Sequence, residues 1–217
     1  MELPLADAAR IAGVSARRLQ QATAAGDLPP HRVMGRTQSV DSAILLAFMR
    51  SARSGRRWGP RSRRAVIDLL NEGETDAMNG SELSRLRSIL RHLGAPEIAH
   101  RLGATSNWHR YRSLGIARHD LANHARATGP SILADPQWAE LLGLLPGPAD
   151  NVYGIVDDLT AMEAKLDLLV DAEGDIFLVE RSGDGDMAEK LVDLFLFGDT
   201  RGSAAAATEL QRRAGAC

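Results

Sequence analysis

The chain holds a single cysteine, Cys217, so it can form neither an internal disulfide nor a cysteine-based zinc site, and it does not require an oxidising compartment. No stretch approaches the roughly 18 consecutive apolar residues that a membrane-spanning helix needs. Residues 1–30 carry no signal-peptide pattern, and a cytoplasmic protein with no membrane partner is expected. Lysine is nearly missing: Lys165 and Lys190 stand alone among 26 basic residues, and arginine supplies the rest. There is no internal repeat, and the alanine run 204–207 fits a helix. What is present is ordinary for a globular chain. Of 217 residues 44% are hydrophobic and 25% charged, which excludes a disordered protein. At about 150 residues per domain this length gives one large domain or two small ones.

The formal net charge of −2 conceals a strong asymmetry. Residues 1–64 carry twelve arginines against four carboxylates (Glu2, Asp7, Asp27 and Asp41). Residues 65–112 are balanced, and residues 113–217 carry 18 acidic against 8 basic side chains. A basic head on an acidic tail suggests two parts with two kinds of partner.

The pattern predicts an α+β protein with a helical middle. Leu5, Ala8, Ala9, Ile11 and Ala12 form an apolar stripe of a first helix, which Gly13 ends. Ser15 is placed to cap a second helix running to about Ala25, with Val14, Leu19 and Ala22 inward, and Gly26 suits a left-handed helix end. Pro29 and Pro30 forbid continuation. Two short strands, 31–34 and 37–40, flank Gly35-Arg36. Asp41 caps a third helix whose apolar residues include Ile44, Leu45, Leu46, Phe48 and Met49. Residues 1–52 thus have the order of a compact winged helix-turn-helix. Residues 53–64 form a basic linker or arm, and 65–112 a helical connector. Helices are predicted over 62–72, 81–93 (Ser81 capping; Leu83, Leu86, Ile89, Leu90 and Leu93 inward), 95–102 and 118–127. Residues 113–217 form a small acidic α+β domain whose boundary lies near 113 or near 130. There, 151–157 is a strand and 158–166 a helix. Strands 167–171 and 175–181 form a hairpin around Ala172-Glu173-Gly174. Helices 187–197 and 200–213 close the chain.

The run Ala8-Ala9-Arg10-Ile11-Ala12-Gly13-Val14-Ser15-Ala16-Arg17-Arg18-Leu19 resembles the helix-turn-helix of excisionase-like and MerR-like DNA-binding domains. The continuation Ala25-Gly26-Asp27-Leu28-Pro29, His31-Arg32-Val33-Met34-Gly35-Arg36 and Val40-Asp41 resembles their wing. The sequence departs from that pattern at Thr37, where a large apolar or aromatic residue is common, and at Arg18, where a hydroxyl residue is common. More loosely, the whole chain is similar to actinobacterial abortive-infection-type antitoxins encoded beside nucleotidyltransferase-type toxins. This likeness runs through Ser81-Glu82-Leu83-Ser84-Arg85-Leu86-Arg87, Trp108-His109-Arg110-Tyr111-Arg112, Ile132-Leu133-Ala134-Asp135-Pro136, Leu191-Val192-Asp193-Leu194 and Gly198-Asp199-Thr200-Arg201. It implies a DNA-binding head on a toxin-facing or regulatory body.

A helix in the major groove reads base edges with outward polar side chains near its N-terminus. Arg17 and Arg18 can donate to guanine, and Gln20 or Gln21 can pair with adenine. Ser15 and the free N–H groups of the helix start suit a phosphate. Arg32 and Arg36 fall on the wing, where arginine can follow the backbone or enter a narrow minor groove. Arg53, Arg56, Arg57, Arg61, Arg63 and Arg64 are either phosphate contacts or a charged hinge. Trp58 is read as packing.

Other chemistry is poorly supplied. His119 and His124 are five apart, off one helix face, and His92, His100 and His109 lack ligand spacing, so no metal or other cofactor is expected. Residues 171–175 have the glycine misplaced for a calcium loop, and 182–186 lack the Lys-Ser or Lys-Thr of a phosphate loop. Asp175 with Glu180 lacks the lysine of a nuclease pair, so no catalytic residues are assigned. Asp157, Asp158, Glu163 and Asp167 are candidates for an acidic patch facing a basic toxin, and Tyr153, Phe177, Phe195 and Phe197 are the large side chains available for an apolar centre there, most of them read as core.

The expectation is a DNA-binding transcriptional regulator that acts as antitoxin of a toxin–antitoxin pair. Its partners are double-stranded DNA and a cognate toxin, and a homodimer is compatible with this reading. The alternatives are a ligand-sensing regulator without a toxin and, further off, a nucleic-acid-processing enzyme.

Overall fold

The computed structural model describes every residue except 30–31, 35–36, 52–54, 114–120, 122, 172 and 183–184, and only the backbone at 32–34, 37 and 113. It is a mixed α+β structure. Strand β1 (Glu2–Pro4) leads into helix α1 (Leu5–Ile11), then α2 (Ala16–Ala24), β2 (Arg32–Met34), β3 (Thr37–Asp41) and α3 (Ser42–Arg50). The three strands form an antiparallel sheet in the order β1-β3-β2. β1 was not anticipated: three residues ending in proline give no readable alternation, and the strand exists because its backbone pairs with 39–41 of β3. The α1–α2 turn passes through Gly13 at φ +63°, a left-handed conformation that glycine adopts without Cβ strain.

Helices α4 (Pro60–Glu72), α5 (Gly80–Arg91) and α6 (Ala95–Leu102) follow. Proline begins α4, where its missing N–H costs nothing, so half of the expected linker is helix. α5 starts from Asn79 with no side-chain cap, so Ser81 does not cap it. Ile89, expected inside, is exposed, as are Ile11 and Leu46.

Strands β4 (Trp108–Ser113), β5 (Arg126–Ala127), β6 (Val152–Val156), β7 (Leu168–Val170) and β8 (Ile176–Glu180) make a second sheet in the order β5-β6-β8-β4-β7. A 3-10 turn (Gly129–Ala134), α7 (Pro136–Leu141) and α8 (Leu159–Lys165) lie between strands, and α9 (Met187–Phe197) and α10 (Thr200–Ala216) end the chain. The start of the helix predicted over 118–127 lies outside the described residues, and its last two positions are strand β5.

The predicted hairpin is corrected by this topology. β7 and β8 do not pair with each other; β4 lies between them and is antiparallel to both. Tyr111 faces Val170 on one side and Ile176 on the other, so the connection crosses β4 at that point. Gly174 lies so close to β4 that a Cβ there would collide with the Tyr111 carbonyl. The short polar link that looks like a turn is therefore a crossing. The position 112/113, one of the two expected domain boundaries, falls inside β4.

Strand alternation divides the second sheet between two cores. Trp108, Tyr153, Ile155, Phe177 and Val179 share one core with Ala8, Leu19, Leu28, Ile44, Leu45 and Phe48 of the N-terminal elements. Tyr111, Val156, Ile176 and Leu178 pack on the opposite side with Leu159 of α8. Burial on both faces explains why 152–156 and 176–180 read as nearly unbroken apolar runs. A third core joins α4, α5 and α6 to α9 and α10.

Polar ties reinforce these contacts. Arg50 at the end of α3 donates to the carbonyls of Leu196 and Gly198, both at 2.7 Å, capping α9 from outside. Arg110 reaches Asp41 at 3.1 Å while Asp41 caps α3 through the Ala43 and Ile44 amides.

Candidate nucleic-acid interface and a second cleft

Helix α2 carries four of the seven candidate DNA contacts, and Ser15 precedes it as its N-cap. Ser15 caps it, its Oγ accepting the Arg18 amide at 3.2 Å, which satisfies one of the free donors of the first turn. Leu19 and Ala22 are buried, so the spacing turns Arg17, Arg18, Gln20 and Gln21 outward, and all four are exposed. Gln20 Nε2 donates to Gln38 Oε1 on β3 at 3.2 Å, joining the helix to the small sheet. Gln38 was missed in the sequence, because nothing local says that β3 passes the outer side of α2. Arg32 is on β2, its backbone paired with Ser39, but its side chain lies outside the described residues. Arg36 lies outside them altogether, as do Arg53 and His119.

The basic segment after α3 is not a free arm. Arg57 pairs with Asp27 at 2.7 Å and donates to the Gly26 carbonyl at 2.6 Å, holding the end of α2. Arg61 donates to the Ala77 carbonyl and pairs with Glu82, Arg63 pairs with Glu189 and Arg64 with Asp68. Four of the six arginines considered as phosphate contacts thus have internal partners, and Arg56 remains exposed. Trp58 packs against the helical core, with the Arg101 guanidinium 5.8 Å from its ring centre.

Three of the four acidic candidates are also engaged. Asp157 accepts two hydrogen bonds from Arg126, which hold its carboxyl below the usual range. Asp158 caps α8, and Glu163 accepts the Tyr111 hydroxyl at 2.7 Å. Asp167 has a left-handed backbone at φ +47°. Tyr153, Phe177 and Phe195 are core residues, and Phe197 is half-buried against Trp108 and Tyr153. Most of these large side chains are core, as the sequence reading has them.

Two further features were not foreseen. Arg181 forms a bidentate pair with Asp193, at 2.7 and 2.9 Å, inside the molecule, and Thr128 donates to the same carboxylate at 2.6 Å. Beside it lies a cleft of about 660 Å³ lined by arginines 57, 63, 64, 101 and 181 and by carboxylates of the neighbouring elements. Its size falls within the range of small-molecule sites. No local motif announces it, since its walls come from four separate parts of the chain. Among the described residues, no group of three or more His, Cys, Asp and Glu side chains could hold a metal ion, and no helix is long and apolar enough to cross a membrane.

Fold and geometry define a mixed α+β protein with an exposed arginine–glutamine helix face and an open arginine-lined cleft. No protein-family model matches the chain, and neither a curated protein nor a solved structure gives a match.

Proposed function

We propose that this chain is a DNA-binding transcriptional regulator that reads double-stranded DNA through α2, with β2, β3 and their connection acting as the wing. The observation that carries this reading is the outward face of α2: two arginines and two glutamines on one capped helix, with the apolar side anchored in the core. These side chains match the hydrogen-bonding edges of guanine and adenine in the major groove, and the helix start offers N–H groups to a phosphate. The role as antitoxin of a toxin–antitoxin pair follows from the family resemblance, and the acidic excess of residues 113–217 supports a basic protein partner. A ligand-sensing regulator is the second reading, and the arginine-lined cleft favours it.

Selection of duplexes from a random pool by the full chain, followed by titration of the winning sequence, tests DNA reading. Arg17→Ala is expected to lose about 1–3 kcal/mol on the selected duplex and little on a scrambled one, as removal of a base contact does. Equal losses on both duplexes make Arg17 a phosphate contact, and no enrichment of any sequence removes the reading. Co-expression with the neighbouring gene product tests the antitoxin role: a complex supports it, and no complex leaves the ligand-sensing regulator.

A further inference from the structure

One guanidinium of this cleft stands apart from the charged groups around it. Glu189 is paired with Arg63, Asp157 with Arg126, and Glu180 accepts the Leu159 amide. Asp186 has Arg64 at 4.0 Å, and Arg181 is committed to Asp193. Arg101, by contrast, has no carboxylate partner among the described residues. Its Nε is buried without a hydrogen bond, and its guanidinium lies over Trp58. The backbone around it is held: the Trp58 amide donates to the Arg101 carbonyl at 2.9 Å, and His100 contacts the Gly55 carbonyl at 3.1 Å. An arginine with no carboxylate partner among the described residues, on the wall of a nucleotide-sized cleft, has the chemistry of an anion site, because guanidinium meets phosphate oxygens in a two-pronged geometry.

Arg57 connects this cleft to the proposed DNA-reading helix. It lines the cleft, and through Gly26 and Asp27 it also holds the residues that follow α2. Thr105 secures the same place by donating to the Asp27 carbonyl at 2.7 Å. A phosphate entering the cleft competes with the Asp27 carboxylate for Arg57. We propose that the cleft binds a small organic phosphate, with Arg101 as its principal contact, and that occupancy is transmitted to the end of α2 through Arg57. The effect on DNA rests on the reading of α2 given above; the binding site does not.

Calorimetric titration of the full chain with ADP, and separately with inorganic pyrophosphate, tests the site. ADP is expected to bind with Kd below about 1 mM, and Arg101→Gln to weaken it about tenfold or more. Asp186→Asn removes a negative charge from the cleft wall and is expected to tighten binding; opposite signs from the two variants separate a local charge effect from misfolding. Hydrogen exchange of the amides at 25–27 is expected to speed up when ADP saturates the chain. The proposal is overturned if neither probe gives saturable heat, if both variants bind as the parent does, or if exchange at the end of α2 is unchanged. These measurements involve no DNA, so a failure of α2 variants to alter DNA binding overturns the regulator reading separately.

Discussion

Arginine does different work in the two halves of this molecule. On α2, Arg17 and Arg18 face solvent on a short helix anchored by Leu19 and Ala22. In the body, Arg181 is nearly enclosed, bonded to a fully buried Asp193 and positioned 5.9 Å from the centre of the Trp108 ring. The exposed pair costs the fold little and remains free to bind a ligand. The buried pair is costly to desolvate and tolerable only because Thr128 and the bidentate geometry satisfy the carboxylate. The basic charge of residues 1–64 is likewise not one surface: Arg57–Asp27 and Arg63–Glu189 tie separate elements together, and Arg64–Asp68 is a pair within α4. A count of charge along the chain therefore overstates what is offered to an outside partner.

The sharpest test of this contrast is Asp193→Ala. It strands Arg181 in the interior and is expected to cost about 3–5 kcal/mol in urea unfolding; a loss under about 1 kcal/mol would show that the pair is not enclosed. Gly174→Ala comes next. A methyl group at the crossing of β4 must displace backbone, with an expected loss of about 1–3 kcal/mol by the same measurement.

A smaller effect concerns His109 on β4. Burial lowers its pKa, against opposing attraction from Glu163 and Glu180. As pH falls through about 6.5 the unfolded chain takes up a proton that the folded chain resists, so stability declines toward acid. His109→Gln should flatten that part of the stability–pH curve, by under about 1 kcal/mol between pH 7 and pH 5.5, and an unchanged slope would assign the dependence to other groups. The smallest effect belongs to the exposed side: the double variant Arg17→Ala, Arg18→Ala should alter stability by no more than about 0.5 kcal/mol. A larger loss would mean that these arginines serve the fold.

Local chemistry was legible at several elements, though not at α5, where Ser81 does not cap the helix and Ile89 is exposed. Ser15 and Asp41 cap the helices expected of them, Gly26 has the left-handed backbone predicted, and α6 and α9 have the predicted limits. Within the candidate interface, the outward residues of α2 followed from the burial of Leu19 and Ala22. Gln38 did not, since its hydrogen bond to Gln20 spans eighteen positions. The pairing of β7 and β8 was misread because two strands separated by a glycine-containing turn look the same whether they meet each other or straddle a third.

The sequence by itself determined most of the helices, the caps at Ser15 and Asp41 and the exposed face of α2, because hydrophobic period and capping act over a few residues. Tertiary structure alone decided that β4 separates β7 from β8, that Arg181 meets Asp193, that four arginines after α3 find partners within the molecule, and that Arg101 shares a cleft with the residue holding α2. Those outcomes depend on which backbone edges and charges meet across long stretches of chain, where desolvation and pairing decide between partners that the local pattern leaves equivalent.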